Sequence, residues 1–359
     1  MTSPEITIRG AGIFGLSVAW ACASRGARVR VIDPGGVGAG ASGGLVGALA
    51  PHAPPEQPGG WNALKAFQLE SLTFAPAWWA AVARAGGRDP GYLASGRVQP
   101  LADAAAVALA RAREEAARVF WQGRADWTVR PATGAEWEPA SPTGLLVHDT
   151  LTARLSPRAA GWALEAAIRE SGGEILAEAP EAGLVVHATG WRGLADLSRA
   201  FDRRIGAGQK GQAALLRPAR PAPQVPQIYA GGLHVVSHHD GLVAVGSTSE
   251  GEWRDEAPDA RAEALADRAR ALVPALAGAE LVECWAGIRP RAASRAPVLG
   301  PWPGRAGYFI ANGGFKTGFG MAPLLALRLA DLMLEGRDAI PEVFRLEVLL
   351  NGASAPGQP

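Results

Sequence analysis

Lysine is scarce in this chain: three residues out of 359, within a total of 35 lysines and arginines. A charge of one sign is lacking too. The 35 basic residues face 34 acidic ones, for a formal net charge of +1. That balance, with no basic run, argues against an electrostatically driven nucleic-acid or membrane binder. Long apolar runs are missing: no stretch reaches the ~18 uninterrupted apolar residues that a membrane-spanning helix needs. There are only two cysteines, Cys22 and Cys284. They form neither a disulfide framework nor a zinc site, so no metal is expected. The opening "MTSPEITIRGAG" lacks the basic and apolar regions of a secretory signal. Together these absences predict a cytoplasmic protein. What remains is 48% hydrophobic, which is enough for a sizeable core and rules against disorder. The length suggests two domains.

The chain opens as a β-α-β unit. "EITIRG" alternates as a strand, "GAGIFG" turns, "LSVAWACASRG" is helical, and "ARVRVID" is a second strand. A second glycine-rich loop follows, "PGGVGAGASGGLVGALAP". Helical patterns run from Trp61 to about Ala85, over 102–120, from Ser156 to Ser171, over 258–277 and over 321–335. "SGRVQPL", "AGLVVHATG", "QAALL", "GGLHVVS", "GLVAVGST", "LVECWAGIRPR" and "GYFIANGG" read as strands, with residues 121–150 irregular. Alternating helices and strands at both ends and in the middle, with antiparallel-looking strands between, predict a nucleotide-binding domain assembled from separated segments. An α+β domain is inserted into it.

Gly10, Gly12 and Gly15 form a GxGxxG pattern after a strand and before a helix, and Asp33 follows 18 residues later at a strand end. Glycines at these positions allow a tight turn, close approach of backbone amides to a pyrophosphate, and close helix–strand packing. The helix start offers unpaired amides and a positive dipole end to phosphates. Asp33 suits ribose hydroxyls. An NAD enzyme has no need of the second loop, Gly38 to His52, whereas an extended FAD does. There Ser42 suits a phosphate oxygen, and Gly47, Ala48 and Leu49 suit an isoalloxazine ring. His52 fits a turn or a pocket equally. Arg289, between an apolar strand and a proline, is either a surface arginine or a bidentate carboxylate holder. Lys316 stands in "ANGGFKTGFGM", a strand–glycine turn–helix segment, as either a solvated loop lysine or an anion contact.

Taken together, the segments resemble the D-amino-acid oxidase-like FAD-dependent oxidoreductase family, in its glycine oxidase, sarcosine oxidase and D-amino-acid dehydrogenase branch. "GAGIFGLSVAWACASRGARVRVID" is similar to its FAD fingerprint and "GAGASGGLVGALAPH" to its flavin-facing loop. "LSPRAAGWALEAA" and "VVHATGW" are similar to its middle FAD segment, "QKGQ" to a Lys-Gly-Gln turn, "HVVSHHDGLVAVGST" to its substrate-domain hairpin, and "WAGIRPRAASRAPVLGP" to its Gly-Leu-Arg-Pro segment. The resemblance implies an α/β fold: a Rossmann-like FAD-binding domain of the GR2 type (1–85, 150–204 and 286–350) with an inserted α+β substrate domain containing an antiparallel sheet (86–149 and 205–285). A tail follows at 351–359.

The resemblance also implies non-covalent FAD, because Cys284 is displaced from the family's covalent flavin cysteine. Its cofactor contacts fall on Gly10, Gly12, Ile13, Phe14, Gly15, Asp33, Ala41, Ser42, Gly47, Ala48, Leu49, Gly190, Gly314, Phe315, Lys316, Thr317 and Gly318. Candidates for substrate contact or catalysis are Arg289, Lys316, His234 and His52. Arg289 matches the family's carboxylate-binding arginine. Lys316 stands where the glycine oxidase branch commonly has arginine and where monomeric sarcosine oxidase has a carboxylate-binding lysine. Four departures stand out. The middle segment "GGEILAEAPEAGLVVHATG" is short, His234 replaces an expected aromatic, "GLVAVGS" has no oxygen-activating lysine, and Cys284 is out of register. The expected reaction oxidises the C–N bond of glycine, sarcosine or a D-amino acid by hydride transfer from the α-carbon to flavin N5. Two alternatives are a flavin subunit that depends on a partner in a multi-subunit dehydrogenase, and the flavin module of a tRNA-modifying enzyme.

Overall fold

The computed structural model describes residues 4–56 and 58–352, so most of the expected tail lies outside the described residues. A six-stranded sheet runs in the order Val298–Pro301, Tyr308–Asn312, Leu184–His187, Glu5–Arg9, Arg28–Ile32 and Glu174–Leu176. All its pairings are parallel except that of Val298–Pro301 with Tyr308–Asn312. The helix Ile13–Ala23 is buried at every residue. It packs against the helices Pro157–Glu170 and Gly318–Glu335. A helix that is apolar all round belongs in the interior, and Cys22 on it is fully buried. Burial pushes the Cys22 thiol up to about 12, with Arg25 opposing, so this thiol is inert.

The second sheet has eight strands, in the order Glu280–Ala292, Gly206–Arg217, Val243–Gly246, Leu233–Ser237, Gln227–Ala230, Arg97–Pro100, Leu145–Asp149 and Trp127–Pro131. It is antiparallel except where Gln227–Ala230 runs parallel to Arg97–Pro100. The helix Ala260–Leu272 covers one part of it with its own core of Leu265, Ala266 and Ala269 against Val235, Val243 and Val245. Ala48–Leu49 pairs with Ala153–Arg154 in a separate two-stranded ribbon.

Several local expectations change. Residues 121–150 are not irregular throughout: Trp127–Pro131 and Leu145–Asp149 pair there as two antiparallel strands. "QKGQ" is not a turn but lies inside the twelve-residue strand Gly206–Arg217. The stretch after "HATG" continues as a helix, Gly190–Ala200, whose Leu194 and Leu197 are buried. Its two glycines, Gly190 and Gly193, mask that helical pattern. The last long helix begins at Gly318, three residues before the expected start.

Candidate active site

A cleft of about 720 Å³ lies beyond the carboxyl ends of the parallel strands and extends to the edge of the eight-stranded sheet. In an open parallel sheet this crevice is where nucleotide cofactors bind. Its first end is made of backbone. Gly10 adopts a φ of +108°, and a Cβ there would stand 2.4 Å from the Ala188 carbonyl oxygen. A Cβ on Gly15 would stand 1.9 Å from the Gly10 carbonyl oxygen. So Gly15 lies behind the turn and packs it, while Gly10, Gly12, Ile13 and Phe14 line the cleft.

Two side chains clasp this turn from elsewhere. Asp33 accepts from the Ala11 amide at 2.8 Å and from the Gly35 amide at 2.9 Å. Ser42 Oγ accepts from the Ile13 amide at 2.9 Å, which leaves its own O–H free to donate. Each Asp33 oxygen keeps a second lone pair for a hydroxyl. Apart from that Ser42 bond, the helix Ile13–Ala23 has no cap from its own N-cap residue, Gly12, and no acid in its first turn. An anion is therefore the missing complement to this helix start. These features fit the pyrophosphate and ribose of a dinucleotide.

The middle of the cleft is lined by Ala41, Gly47, Ala48, Gly190, Gly314, Phe315 and Gly318. Leu49 is buried beside it without lining it. Thr317 also stays off the wall, where its hydroxyl lies 3.3 Å from the Gly314 carbonyl oxygen. Asn312 supports the C-terminal loop from below: its amide donates to the Gly190 carbonyl at 2.9 Å, and its oxygen accepts from Gly313 N–H at 2.8 Å. Phe315 takes a left-handed φ of 43°, a strained value for a large side chain. It is anchored through its amide to the Pro290 carbonyl at 3.0 Å.

The second end is made of side chains. Arg289 and Lys316 both line the cleft. Arg289 donates to the Thr248 carbonyl at 3.0 Å. Burial pushes its guanidinium down to about 10, with Glu250 opposing, so it remains a cation at neutral pH. Burial also lowers Lys316, and the charges of Arg289 and Arg291 lower it further. His234 lines the same region, its Nδ1 3.3 Å from Gln227 Oε1 and its ring 4.6 Å from that of Tyr229. Burial, aided by Arg97 and Lys316, pushes His234 down to about 3, so its ring is neutral.

His52 is not brought to the cleft. Its ring Nδ1 and its backbone amide both meet Gln68 Oε1, at 2.5 and 2.8 Å. Burial lowers its pKa despite that bond. His52 thus supports the turn rather than the pocket.

Several lining residues escaped sequence reasoning, among them Trp285, Trp191, Thr189 and Ser247. Trp285 sits four positions before Arg289 on the strand Glu280–Ala292, a spacing that shares one face. A Cβ on Gly287, between them, would stand 2.4 Å from the Trp285 ring. Gly211 is the least expected. A Cβ there would stand 1.8 Å from Arg289 Nη2 and 2.0 Å from its Cζ, so the guanidinium lies flat on a strand that only glycine leaves bare.

A glycine turn on a parallel sheet, a clasped helix start and a cationic far end define a dinucleotide-binding oxidoreductase architecture. Comparisons narrow this. The chain matches the DAO family, FAD dependent oxidoreductase, over residues 5–332, and it belongs to that family. It is 27% identical to glycine oxidase of Geobacillus kaustophilus (strain HTA426) over 92% of each chain. It is 28% identical to glycine oxidase of Pseudomonas putida (strain KT2440) over 92% of this chain and 94% of that one. The crystal structure of glycine oxidase from Geobacillus kaustophilus superimposes with a TM-score of 0.81 at 24% identity, covering 96% of this chain and 99% of that one. The protein is an FAD-dependent oxidoreductase, and this kinship supports oxidation of amino-acid C–N bonds.

Proposed function

We propose that the chain oxidises the C–N bond of a small amino acid, with glycine, sarcosine and D-amino acids as the candidates. The observation that carries this is the guanidinium of Arg289, which lines the cleft and has no acidic partner among the described residues. A planar cation there suits a bidentate grip on a carboxylate. FAD, when bound, supplies the two-electron acceptor. Gly12, Ile13 and Ser42 would hold its phosphates, Asp33 its ribose, and the loop from Gly44 to Ala48 its ring system.

The protein's own share is orientation and electrostatics. Arg289 fixes the carboxylate, which sets where the α-carbon points. Lys316 adds positive charge to the same region. His234, held neutral by burial, offers a hydrogen-bond partner without a third charge. It is too weak a base to take the amine proton at neutral pH, so the substrate amine enters deprotonated or loses its proton to water.

Further readings belong with this one. The segments 1–85, 150–204 and 286–350 would form the FAD domain, and 86–149 with 205–285 the substrate domain. The two main sheets draw their strands largely from those groups, although the strand Glu280–Ala292 runs through residue 286. Both cysteines are free, as the reducing cytoplasm allows. Among the described residues no helix is long and apolar enough to cross a membrane. The test is anaerobic reduction of the purified holoenzyme by glycine, sarcosine and D-alanine. Bleaching of the flavin absorbance is expected, and failure of every amine tried would sink the reading.

A further inference from the structure

We propose that the substrate carries two carboxylates, one seated on Arg289 and the other on Lys316. The inference rests on the amino-acid oxidation proposed above and names its substrate class. Six permanently charged side chains line the cleft: Arg9, Asp33, Arg192, Glu256, Arg289 and Lys316. Four are already satisfied. Arg9 pairs with Glu181 at 3.0 Å, and Arg192 with Glu256 at 3.0 Å. Asp33 accepts from two backbone amides.

Among the described residues, Arg289 and Lys316 have no ion-pair partner. The acid that acts on Arg289, Glu250, is already engaged. It accepts from Gln212 at 3.0 Å, takes a short bond from Thr248, and pairs with Arg261 at 3.1 Å. Arg291 adds a third positive charge: its guanidinium stands 5.5 Å from the Phe315 ring, and the Lys316 amine stands 5.6 Å from the same ring. A single α-carboxylate gripped through both oxygens by Arg289 leaves Lys316 without an anion. The phosphates of the cofactor answer neither, because the clasped glycine turn that suits them is formed by Gly10 to Ile13, Asp33 and Ser42. Arg289 is half-buried and Lys316 exposed within the cleft lining, so each is open to a ligand carboxylate, and a ligand bringing a second anion answers both.

Two kinds of amine share that chemistry. The second carboxylate can hang on the nitrogen, as in iminodiacetate, or on the side chain, as in D-aspartate and D-glutamate. In either case the C–N bond beside the Arg289-bound carboxylate is the one oxidised. The α-carbon proton and two electrons would pass to bound FAD as a hydride, the remaining N–H proton would pass to water, and water would then hydrolyse the imine to the oxo acid and the amine.

Binding is read first with acids that cannot react. The visible flavin band of the holoenzyme is titrated with malonate and succinate, then with acetate and propionate. At least one dicarboxylate is expected to bind roughly tenfold or more tighter than either monocarboxylate. Lys316→Gln should erase that margin while acetate affinity stays within about threefold. Equal binding of the two classes in the unmodified enzyme would overturn the proposal. So would a Lys316→Gln variant that loses acetate and malonate by the same factor, since both cations would then share one carboxylate. A variant changed only in its flavin reduction potential would also overturn it, by placing Lys316 on the cofactor.

Anaerobic bleaching by iminodiacetate, D-aspartate and D-glutamate, set against glycine and sarcosine, then identifies where the second carboxylate sits. Tight dicarboxylate binding with no amine able to bleach the flavin would fail the oxidation reading and leave the two-anion seat standing. Bleaching by glycine with no dicarboxylate preference would do the reverse.

Discussion

At one end of the cleft the ligand-facing groups are backbone amides, pinned by Asp33 and Ser42. At the other they are the heads of Arg289, Lys316 and His234, carried by a strand, a loop and a second strand. The first end is rigid by construction, because Gly10 and Gly15 leave no room for a Cβ. The second is adjustable, because each head sits on a side chain whose neighbours decide its pose. The contrast teaches where tolerance lies. The backbone end accepts almost no substitution and serves a cofactor whose shape does not vary. The side-chain end can be retuned one residue at a time and serves selection among substrates.

The sharpest way to break the backbone end is Gly15→Ala. The new Cβ would meet the Gly10 carbonyl oxygen at 1.9 Å, and neither backbone can yield without unwinding the turn. FAD affinity should fall by roughly a hundredfold or more, consistent with a clash costing a few kcal/mol. The measurement is flavin content after purification, followed by titration with FAD. A protein that purifies fully yellow would show that the turn is not the cofactor's seat.

Arg289→Ala should leave FAD affinity alone and raise KM for carboxylate substrates roughly tenfold or more, about 1.4 kcal/mol. That separation is the comparison itself put to the test, because a loss of flavin would mean the two ends are one unit. Gly211→Ala should act on the same parameter less strongly. Its Cβ displaces the Arg289 guanidinium, the flexible end of a long chain, rather than backbone. We expect KM to rise about threefold to tenfold with flavin content unchanged. In the double variant the two effects should not add, because Gly211 acts through Arg289. Full additivity in steady-state kinetics would show that the glycine matters for some other reason.

The two ends also differ in how far the sequence reveals them. Gly10 to Gly15 and Asp33 are contiguous and follow the β-α-β pattern, so turn chemistry alone makes them visible. Ser42 stands out for the same reason, within a second glycine loop. Arg289 and Lys316 were legible through resemblance to a family, but Gly211 was not. Its role comes from register across two strands, Gly211 opposite Gly287 with Arg289 folding back over it, and nothing local in "QKGQ" encodes that. Trp285 was hidden the same way, inside an apolar run that reads only as strand. His52 fits either place by composition, and only the Gln68 contact resolves it. The helix Gly190–Ala200 is not legible in the sequence because its glycines mimic a turn, while its apolar face of Leu194 and Leu197 is decided by packing.

His238 is one of the residues that join the two ends, and it yields the smallest predicted effect. His238 follows the strand Leu233–Ser237 of the eight-stranded sheet, yet its Nε2 lies 2.9 Å from the carbonyl oxygen of Leu45, in the second glycine loop. A carbonyl can only accept, so Nε2 carries the proton and Nδ1 is bare. Among the described residues Nδ1 is also buried without a partner. Burial pushes this histidine down to about 4; the Leu45 bond opposes that, Arg154 and His239 add to it, and Asp240 counters them. The folded-state pKa lies below the ordinary value of 6.5. The neutral ring's contribution to stability is therefore complete above pH 6.5 and is lost as pH falls from 6.5 through 4. His238→Phe removes the donor, so at pH 7 FAD affinity should drop by roughly threefold to tenfold, the worth of about 1 kcal/mol for one hydrogen bond. The slope of Tm between pH 6.5 and 4 should flatten in the same variant. His238→Gln, whose amide can still donate to Leu45, should keep most of the FAD affinity but show the same flattened slope. If both variants keep the wild-type pH slope, His238 does not link the substrate-side sheet to the cofactor loop, and that link falls to other contacts, such as Arg158, which donates to the Gly43 carbonyl at 3.0 Å and to Glu283 at 2.6 Å.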